Sequence, residues 1–454
     1  MLAEALPLVT ADLPAPDWQR LGEHLPVEWI EEALSYTGKA SIRQRRLPAQ
    51  QVVWLVISLA LYRHHSVRQV LAELDLALPD MGDTCVTDSA ATQARQRLGE
   101  SPLAWLFTTS AAHWQKQDAE RYRFNGLRLL AVDGTSLKLA DSADNRKHFG
   151  SPRFAAGAVA SYPHARMVAL CEVDTQLMLA ARFGPYLQAE MGYALDLLAD
   201  VPDHSLTVFD RAFLAAELLC NLVASGTERH FLVPAKKNTR WTVIEGNARD
   251  AVVEMKVSPA ARKKDPTLPL YWRARAVRVK GPEGKLVYLL TSLFDRKRFT
   301  VAQLQLCYSR RWQIETSYLE IKHTMMGMAL SLRSMSVDGT RQEIWGMLIA
   351  YNLIRLEMAR AAEQAKCTPN SISFVFALGA FQFEMAHAAV LHAQGNLPGV
   401  LKRMRARMII ELNVYRPDRK FDRVTKAKAQ RYPERRIREL KPEPEPKPKP
   451  GTLT

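Results

Sequence analysis

The stretch LRLLAVDGTSLKLA, residues 127–140, decides the fold. Its apolar run Leu129–Val132 reads as a buried strand and stops at a carboxylate, Asp133, followed by Gly134. A charge at that place is costly unless it is paired, hydrogen-bonded or bound to a metal. Open sheets also keep their sites at strand ends. The stretch HSLTVFDRAF, residues 204–213, repeats the pattern, with Leu206–Phe209 leading into Asp210. Asp174, which closes MVALCEVD (167–174), has a similar setting, and Asp141, Asp144 and Glu320 are further acids nearby in the chain. Periodicity alone does not choose among them.

Around these acids the pattern alternates. Leu127–Leu139, Met167–Val173, Ser205–Asp210 and His230–Val233 read as strands, whereas Glu190–Ala199 and Leu214–Ala224 read as helices. That order predicts an α/β fold over residues 121–233.

A third acid stands on a helix. In YSRRWQIETSYLEIK (308–322), Tyr308, Arg311, Glu315 and Lys322 are separated by steps of 3, 4 and 7. At about 100° per residue these steps keep the four side chains within about 60° of one another. Leu306, Ile314, Ile321, Met325 and Met328 occupy the opposite face, which predicts a helix laid on the core. Glu320 lies about 140° from Glu315 and is outside the stripe. Arg311 and Glu315 also satisfy an ordinary i,i+4 ion pair. A carboxylate between two cations and a phenol equally suits a metal-binding acid beside phosphate-binding groups.

DGTSLKLADSADNRKHFG (133–150), FDRAF (209–213) and the spacing Tyr308-x2-Arg311-x3-Glu315-x6-Lys322 together resemble the DDE transposases of the insertion-sequence-four family. The last pattern is that family's tyrosine–arginine–glutamate–lysine signature, complete in residue type and spacing. The likeness extends to IRQRRLPAQQVVWLVISLALYR (42–63), SAATQARQRLG (89–99) and EIWGMLIAYNLIR (343–355), and covers roughly residues 18–440. One departure is Ala212, where many relatives carry glycine after the second aspartate and a basic residue; alanine is small enough to predict little consequence.

The resemblance implies a ribonuclease-H-like catalytic core whose first and fourth strands carry the aspartates. It implies that Asp133, Asp210 and Glu315 form the catalytic and metal-binding triad, which demotes Asp174. Three carboxylates can hold two divalent cations about 4 Å apart, one activating a nucleophile and one stabilising the leaving oxygen. Magnesium suits oxygen-only ligation, and manganese can substitute. The expected partner is double-stranded DNA, both transposon ends and target, bound by a homodimer that cuts two ends. Water would release a 3′-hydroxyl that the same site then joins to target DNA, and the resemblance implies a hairpin intermediate. Tyr308, Arg311 and Lys322 are the expected phosphate contacts. Trp312 is a candidate to stack on an unpaired base, with core packing as its other reading, and Arg211 beside Asp210 would touch DNA or balance the acids. The competing readings are a structure-specific nuclease of the same fold and a non-catalytic DNA-binding relative, though the latter usually lacks one of the acids.

Composition agrees with a polyanionic partner. The 454 residues carry a formal charge of +15 and a pI near 9.6, with basic residues spread along the chain. The five cysteines are isolated and odd in number, and the eleven histidines form no metal-ligand spacing, which argues against a disulfide framework or zinc site. The longest apolar stretch, Val52–Leu61, is too short for a bilayer, and no secretory signal opens the chain. These features predict a soluble, cytoplasmic protein.

The sequence divides as follows. Residues 1–120 read as a helical DNA-binding region, in which Trp18–Tyr36, Pro48–Tyr62, Val67–Leu76, Ser89–Leu98 and Pro102–Lys116 have helical spacing and Gly99 makes a stop. Within it, Thr92, Gln93, Arg95, Gln96 and Arg97 make Ser89–Gly99 a candidate recognition helix, or simply a solvated one. The core's first part spans 121–233, a β-rich insertion 234–300, and the core's continuation 301–340. In the insertion, Tyr271–Lys280 alternates arginines with apolar residues and then changes phase, which predicts a bulge and a basic face; Lys285–Thr291 is its second strand. Lys236, Lys237, Arg240, Arg262, Lys263 and Lys264 add to that charge. Amphipathic helices at Arg341–Ala365 and Ser371–Gln394 fill 341–397. A basic, partly disordered tail (398–454) ends in PEPEPKPKPG.

Overall fold

The computed structural model describes residues 25–40, 47–73, 86–117, 121–153, 159–281, 284–327, 331–388, 404–406 and 408–409. The expectations for Trp18 to His24, for the end of the helix predicted to reach Leu76, for Met328 and for nearly all of the 398–454 tail lie outside these residues.

Among the described residues five helices come first: α1 (Val27–Tyr36), α2 (Ala49–Leu61), α3 (Val67–Glu73), α4 (Asp88–Leu98) and α5 (Ser101–Gln117). α4 begins as its sequence dictates, with the Thr87 hydroxyl accepting from the Ala90 amide at 3.2 Å, and stops at Gly99 with φ 70°. α2 is buried from Val52 to Leu61 and packs against α12 (Val337–Ala365). The contact is close because Gly346 of α12 has no side chain: a Cβ there would stand 2.7 Å from Val56 Cγ1 and 3.1 Å from the Val56 carbonyl oxygen. Trp345, next to it, lies between Phe107 of α5 and Phe183, with ring centroids 5.2 and 4.8 Å away.

α12 was expected to be amphipathic. It is instead buried on nearly every side, and three of its charged residues are paired inside: Glu343 with Arg63, Arg355 with Glu320, and Glu357 with Arg405. It is followed by α13 (Phe374–Ala388).

Among the described residues nine strands form one mixed sheet, in the order β3-β2-β1-β4-β5-β9-β8-β7-β6. β1 (Arg128–Lys138), β2 (His164–Glu172) and β3 (Met178–Pro185) run antiparallel in sequence; β4 (Ser205–Phe209) and β5 (Arg229–Pro234) continue parallel to β1. Three short helices connect them: α6 (Ala143–Phe149), α7 (Glu190–Asp196) and α8 (Ala216–Ala224). The sequence reading missed β3 and α6. MLAA at 178–181 is buried throughout and shows no two-residue alternation, so its periodicity is mute.

Residues 234–300 do not leave the sheet. β6 (Thr242–Gly246), β7 (Asp250–Lys256), β8 (Tyr271–Lys280) and β9 (Leu286–Thr291) extend it antiparallel from β5, with α9 (Pro259–Lys264) between β7 and β8. β6 forms the outer rim, and its five residues are exposed.

Two expectations fail in β8. Its pairing with β7 and β9 is unbroken, so there is no bulge; the register shift lies in β6, between Val243 and Glu245. Nor does Arg275 belong to a basic face. It is 1% exposed, pairs with Asp250 at 2.7 Å and donates to the carbonyl oxygens of Leu293 and Phe299. The phase change in the sequence marks a charge taken inside, where both faces of the strand are covered.

Candidate active site

The site begins with strand register. β1 and β4 run parallel, and their last paired residues are Val132 and Phe209. Asp133 and Asp210 are each the next residue, so they leave two neighbouring strands side by side. Adjacent strands lie about 4.8 Å apart. β1 itself does not end at Asp133 but runs on to Lys138, paired there only with β2. Beyond Phe209 the chain turns: the Asp210 carboxylate accepts from the amides of Ala212 and Phe213, at 2.7 and 3.3 Å, and starts a single 3-10 turn.

Glu315 arrives on a broken helix. The expected continuous helix is α10 (Val301–Ser309), α11 (Trp312–Leu319) and a wide π turn at Glu320–Met325. A capping box of Thr300 and Gln303 starts α10. At the junction the amides of Arg311, Gln313 and Ile314 bond three residues back, which overwinds the chain. The π turn, where Met326 bonds five residues back to Ile321, underwinds it again. These deviations act in opposite senses. The break does move Leu306, expected on the core face, to 63% exposure, while Ile314, Ile321 and Met325 are buried as expected.

Arg311 stands between the acids. Its guanidinium donates to Asp133 at 3.2 Å and to Glu315, while the Asp133 carboxylate also accepts from the Gly134 amide at 2.8 Å. Burial pushes the Asp133 carboxyl up to about 6; the Gly134 amide and Arg311 oppose this, and the charges of Asp210 and Glu315 add to it. Asp210 and Glu315 each lie within electrostatic reach of Asp133. The Tyr308 phenol is raised by burial and held down in part by Arg311, with Asp210 and Arg211 nearby. Lys322 donates to Thr135, two residues along β1 from Asp133, at 3.2 Å. Arg211 is exposed, and Trp312 is 60% exposed, which removes the core-packing reading of that ring.

Asp144 is exposed in the first turn of α6, and three other acids are engaged elsewhere. Asp174 pairs with Arg310, Asp141 with Arg146, and Glu320 with Arg355 and the Tyr351 hydroxyl. On α4, Arg95 turns inward to Gln342 and Ser334, whereas Thr92, Gln93, Gln96 and Arg97 face solvent.

Two residues at the site escaped the sequence reading. The Glu190 carboxylate, paired with Arg166, fills the space a Cβ on Gly134 would need, with its carbon 2.5 Å away. The glycine in DGT is the only trace of that packing in the sequence. The second is Tyr318, whose hydroxyl bonds the backbone carbonyl of Asp133 at 2.6 Å. Its step of three from Glu315 was the available signal.

Among the described residues no three His, Cys, Asp or Glu side chains stand at metal-ligand spacing. Arg311 supplies the positive charge between two of the site acids. The donor set nonetheless fits a hard divalent ion: it is oxygen-only, and Asp133 is a carboxyl whose like-charged neighbours an added cation would relieve.

Comparison with known proteins gives the family. Residues 16–108 match the insertion element 4 transposase N-terminal family, and residues 125–353 match the transposase DDE domain. The transposase InsG for insertion sequence element IS4, from Escherichia coli K12, is 36% identical over 91% of this chain and 93% of its own length. The chain belongs to the insertion-sequence-four family of DDE transposases. A second relative of this transposase from the same organism, InsZ, is 37% identical over 51% of the chain and 77% of its own length. Among solved structures, the piggyBac transposase synaptic complex with hairpin DNA is similar at a TM-score of 0.44 and 12% identity, covering 87% of this chain and 86% of that one. The DDE match includes all the acids and cations of the site, from Asp133 to Lys322. Catalysis of DNA cleavage and strand transfer, dependent on a divalent metal, follows from that membership. No helix among the described residues is long and apolar enough to cross a membrane.

Proposed function

We propose that this transposase cuts double-stranded DNA at the ends of its own insertion sequence and joins those ends to target DNA, with Asp133, Asp210 and Glu315 as the catalytic carboxylates. One observation carries the reading: parallel register sets the two aspartates side by side, and Arg311 ties the first of them to Glu315. The strand order β3-β2-β1-β4-β5, with β2 antiparallel to β1 and β4 parallel to it, supports a ribonuclease-H-like core for residues 121–233 and 301–340.

The three carboxylates would hold magnesium, or manganese in its place, and the bound ions would supply an activated oxygen nucleophile and charge neutralisation at the leaving oxygen. The chain's own residues do the rest. Arg311 and Lys322 bind phosphate oxygens flanking the scissile bond, and Tyr308 donates to another. Arg211, exposed next to Asp210, touches the DNA backbone. Trp312 presents its ring to solvent beside Arg311 and stacks on a base unpaired by distortion near the cut. Two ends require two sites, so the working form on DNA is a homodimer.

Asp133→Ala, Asp210→Ala and Glu315→Ala should each abolish cleavage of end DNA while leaving end binding within about twofold. Cleavage that persists without Glu315 would sink the assignment. Joining of precut ends separates a transposase from a nuclease of the same fold, since a nuclease gives no joined product.

A further inference from the structure

Tyr318 lies one turn beyond Glu315 on α11, and its ring is 6% exposed. Its hydroxyl donates to the backbone carbonyl oxygen of Asp133 at 2.6 Å and accepts from the amide of Ala169 at 3.2 Å. Asp133 and Ala169 sit directly opposite each other in the β1–β2 ladder. One hydroxyl touches both groups only from the seam between two strands. The helix is therefore pinned to the single rung that includes a site carboxylate.

A neighbouring contact secures the same helix differently. Gln176, buried at the β2–β3 turn with φ 61°, donates to Ser317 Oγ at 3.0 Å and to the Gln313 carbonyl oxygen at 2.9 Å. Those bonds attach α11 to a turn; Arg311, at the start of α11, reaches the Asp133 carboxylate, whereas Tyr318 bonds its backbone. Residues three apart on a helix stand about 5–6 Å from each other, so a fixed point at 318 leaves Glu315 little freedom.

Resting on the reading that Asp133 and Glu315 act together on metal, we propose that Tyr318 is a positioning residue: it sets the separation of these two carboxylates by tying the helix of one to the backbone of the other. The hydroxyl does not touch the reacting atoms. It acts through the geometry of the acids, where a displacement of about 1 Å can cost on the order of a hundredfold in rate.

Tyr318→Phe in the full-length protein keeps the ring and removes the bond. It should slow end cleavage about ten- to a hundredfold. Mn2+ binding measured calorimetrically without DNA should weaken about tenfold, while Tm stays within a few degrees and end-DNA binding is unchanged. Replacing Tyr318 with 4-aminophenylalanine, which keeps a donor at that place, should recover most of the rate. Wild-type cleavage and Mn2+ binding in Tyr318→Phe overturn the proposal, as does a rate loss matched by equal losses in Tm and DNA binding. If Tyr318→Phe fails to fold, the 4-aminophenylalanine protein decides: near-normal cleavage supports the idea, and an inactive folded protein rejects it. Asp133→Ala is the companion control. Cleavage surviving that change refutes the underlying triad, whereas an inactive Asp133→Ala beside a fully active Tyr318→Phe refutes only the positioning role.

Discussion

At Asp133 function and stability pull in opposite directions. Its carboxyl titrates near 6 because burial and two like charges outweigh the Gly134 amide and Arg311. The folded state thus holds this proton more tightly than the unfolded chain, whose aspartate titrates near its ordinary value. Stability from that group is present at low pH and is lost as pH rises from about 4 through about 6, by about 1–3 kcal/mol. Asp133→Asn should accordingly raise Tm at pH 8 and abolish cleavage, as followed by calorimetry and a plasmid-nicking assay; an unchanged or lower Tm would contradict the account. Below pH 6 the wild-type site should lose affinity for Mn2+, since a protonated Asp133 is a poor ligand. Arg311 gives a second asymmetry, because the guanidinium competes with any cation for two of the three acids. Arg311→Ala should bind Mn2+ about three- to tenfold more tightly without DNA, yet bind end DNA more weakly as one phosphate contact goes. Titrations of both ligands on one preparation would show whether the two affinities move apart. The candidate acids could be picked out because each stands at an apolar boundary, but Asp174 shares that setting and only the family resemblance set it aside. Glu190 and Tyr318 were hidden, since their roles depend on which strand lies beneath them.

The elements were legible where residue periodicity was clean. α1, α2, α4 and α5 stand close to their expected places, as do β1, β2, β4, β5 and β9. β3, β6 and β7 were invisible for different reasons: β3 is buried on both faces, β6 on neither, and β7 alternates apolar with half-buried residues within a charged stretch. The helix carrying Glu315 shows a subtler limit. Its four-residue stripe fits an ideal helix, but the path contains a tight turn and a π turn that sequence spacing averages away. In β8 the arginine alternation misled, because Arg275 is an internal counter-ion to Asp250. Arg275→Ala should therefore cost about 3 kcal/mol in chemical denaturation, removing a buried ion pair and two bonds to backbone carbonyls, although Arg296 stays 3.5 Å from Asp250. A variant of wild-type stability with weakened DNA binding would instead restore the basic-face reading. Arg273, 63% exposed at its side chain and paired with Glu254, is the control expected to matter little for stability.

For the molecule as a whole, the sequence read as successive regions, but the described residues share one core. Trp345 of α12 packs against both Phe107 of the amino-terminal helices and Phe183 of the sheet. Regional boundaries drawn from composition miss this because α12 lies far along the chain from both partners. Expressed alone, residues 1–120 should lack a cooperative thermal transition, and co-expression with residues 121–454 should restore one. A sharp unfolding transition for the short fragment would show it to be autonomous. The open rim of the sheet has a practical consequence of another kind. β6 exposes Val243 and Ile244 at 54% and 48%, and among the described residues no further strand pairs with its outer edge. Such a margin invites strangers to zip on. In concentrated preparations, precipitation should start there, and a lysine in place of Val243 would be the first remedy for a crystallographer short of soluble protein.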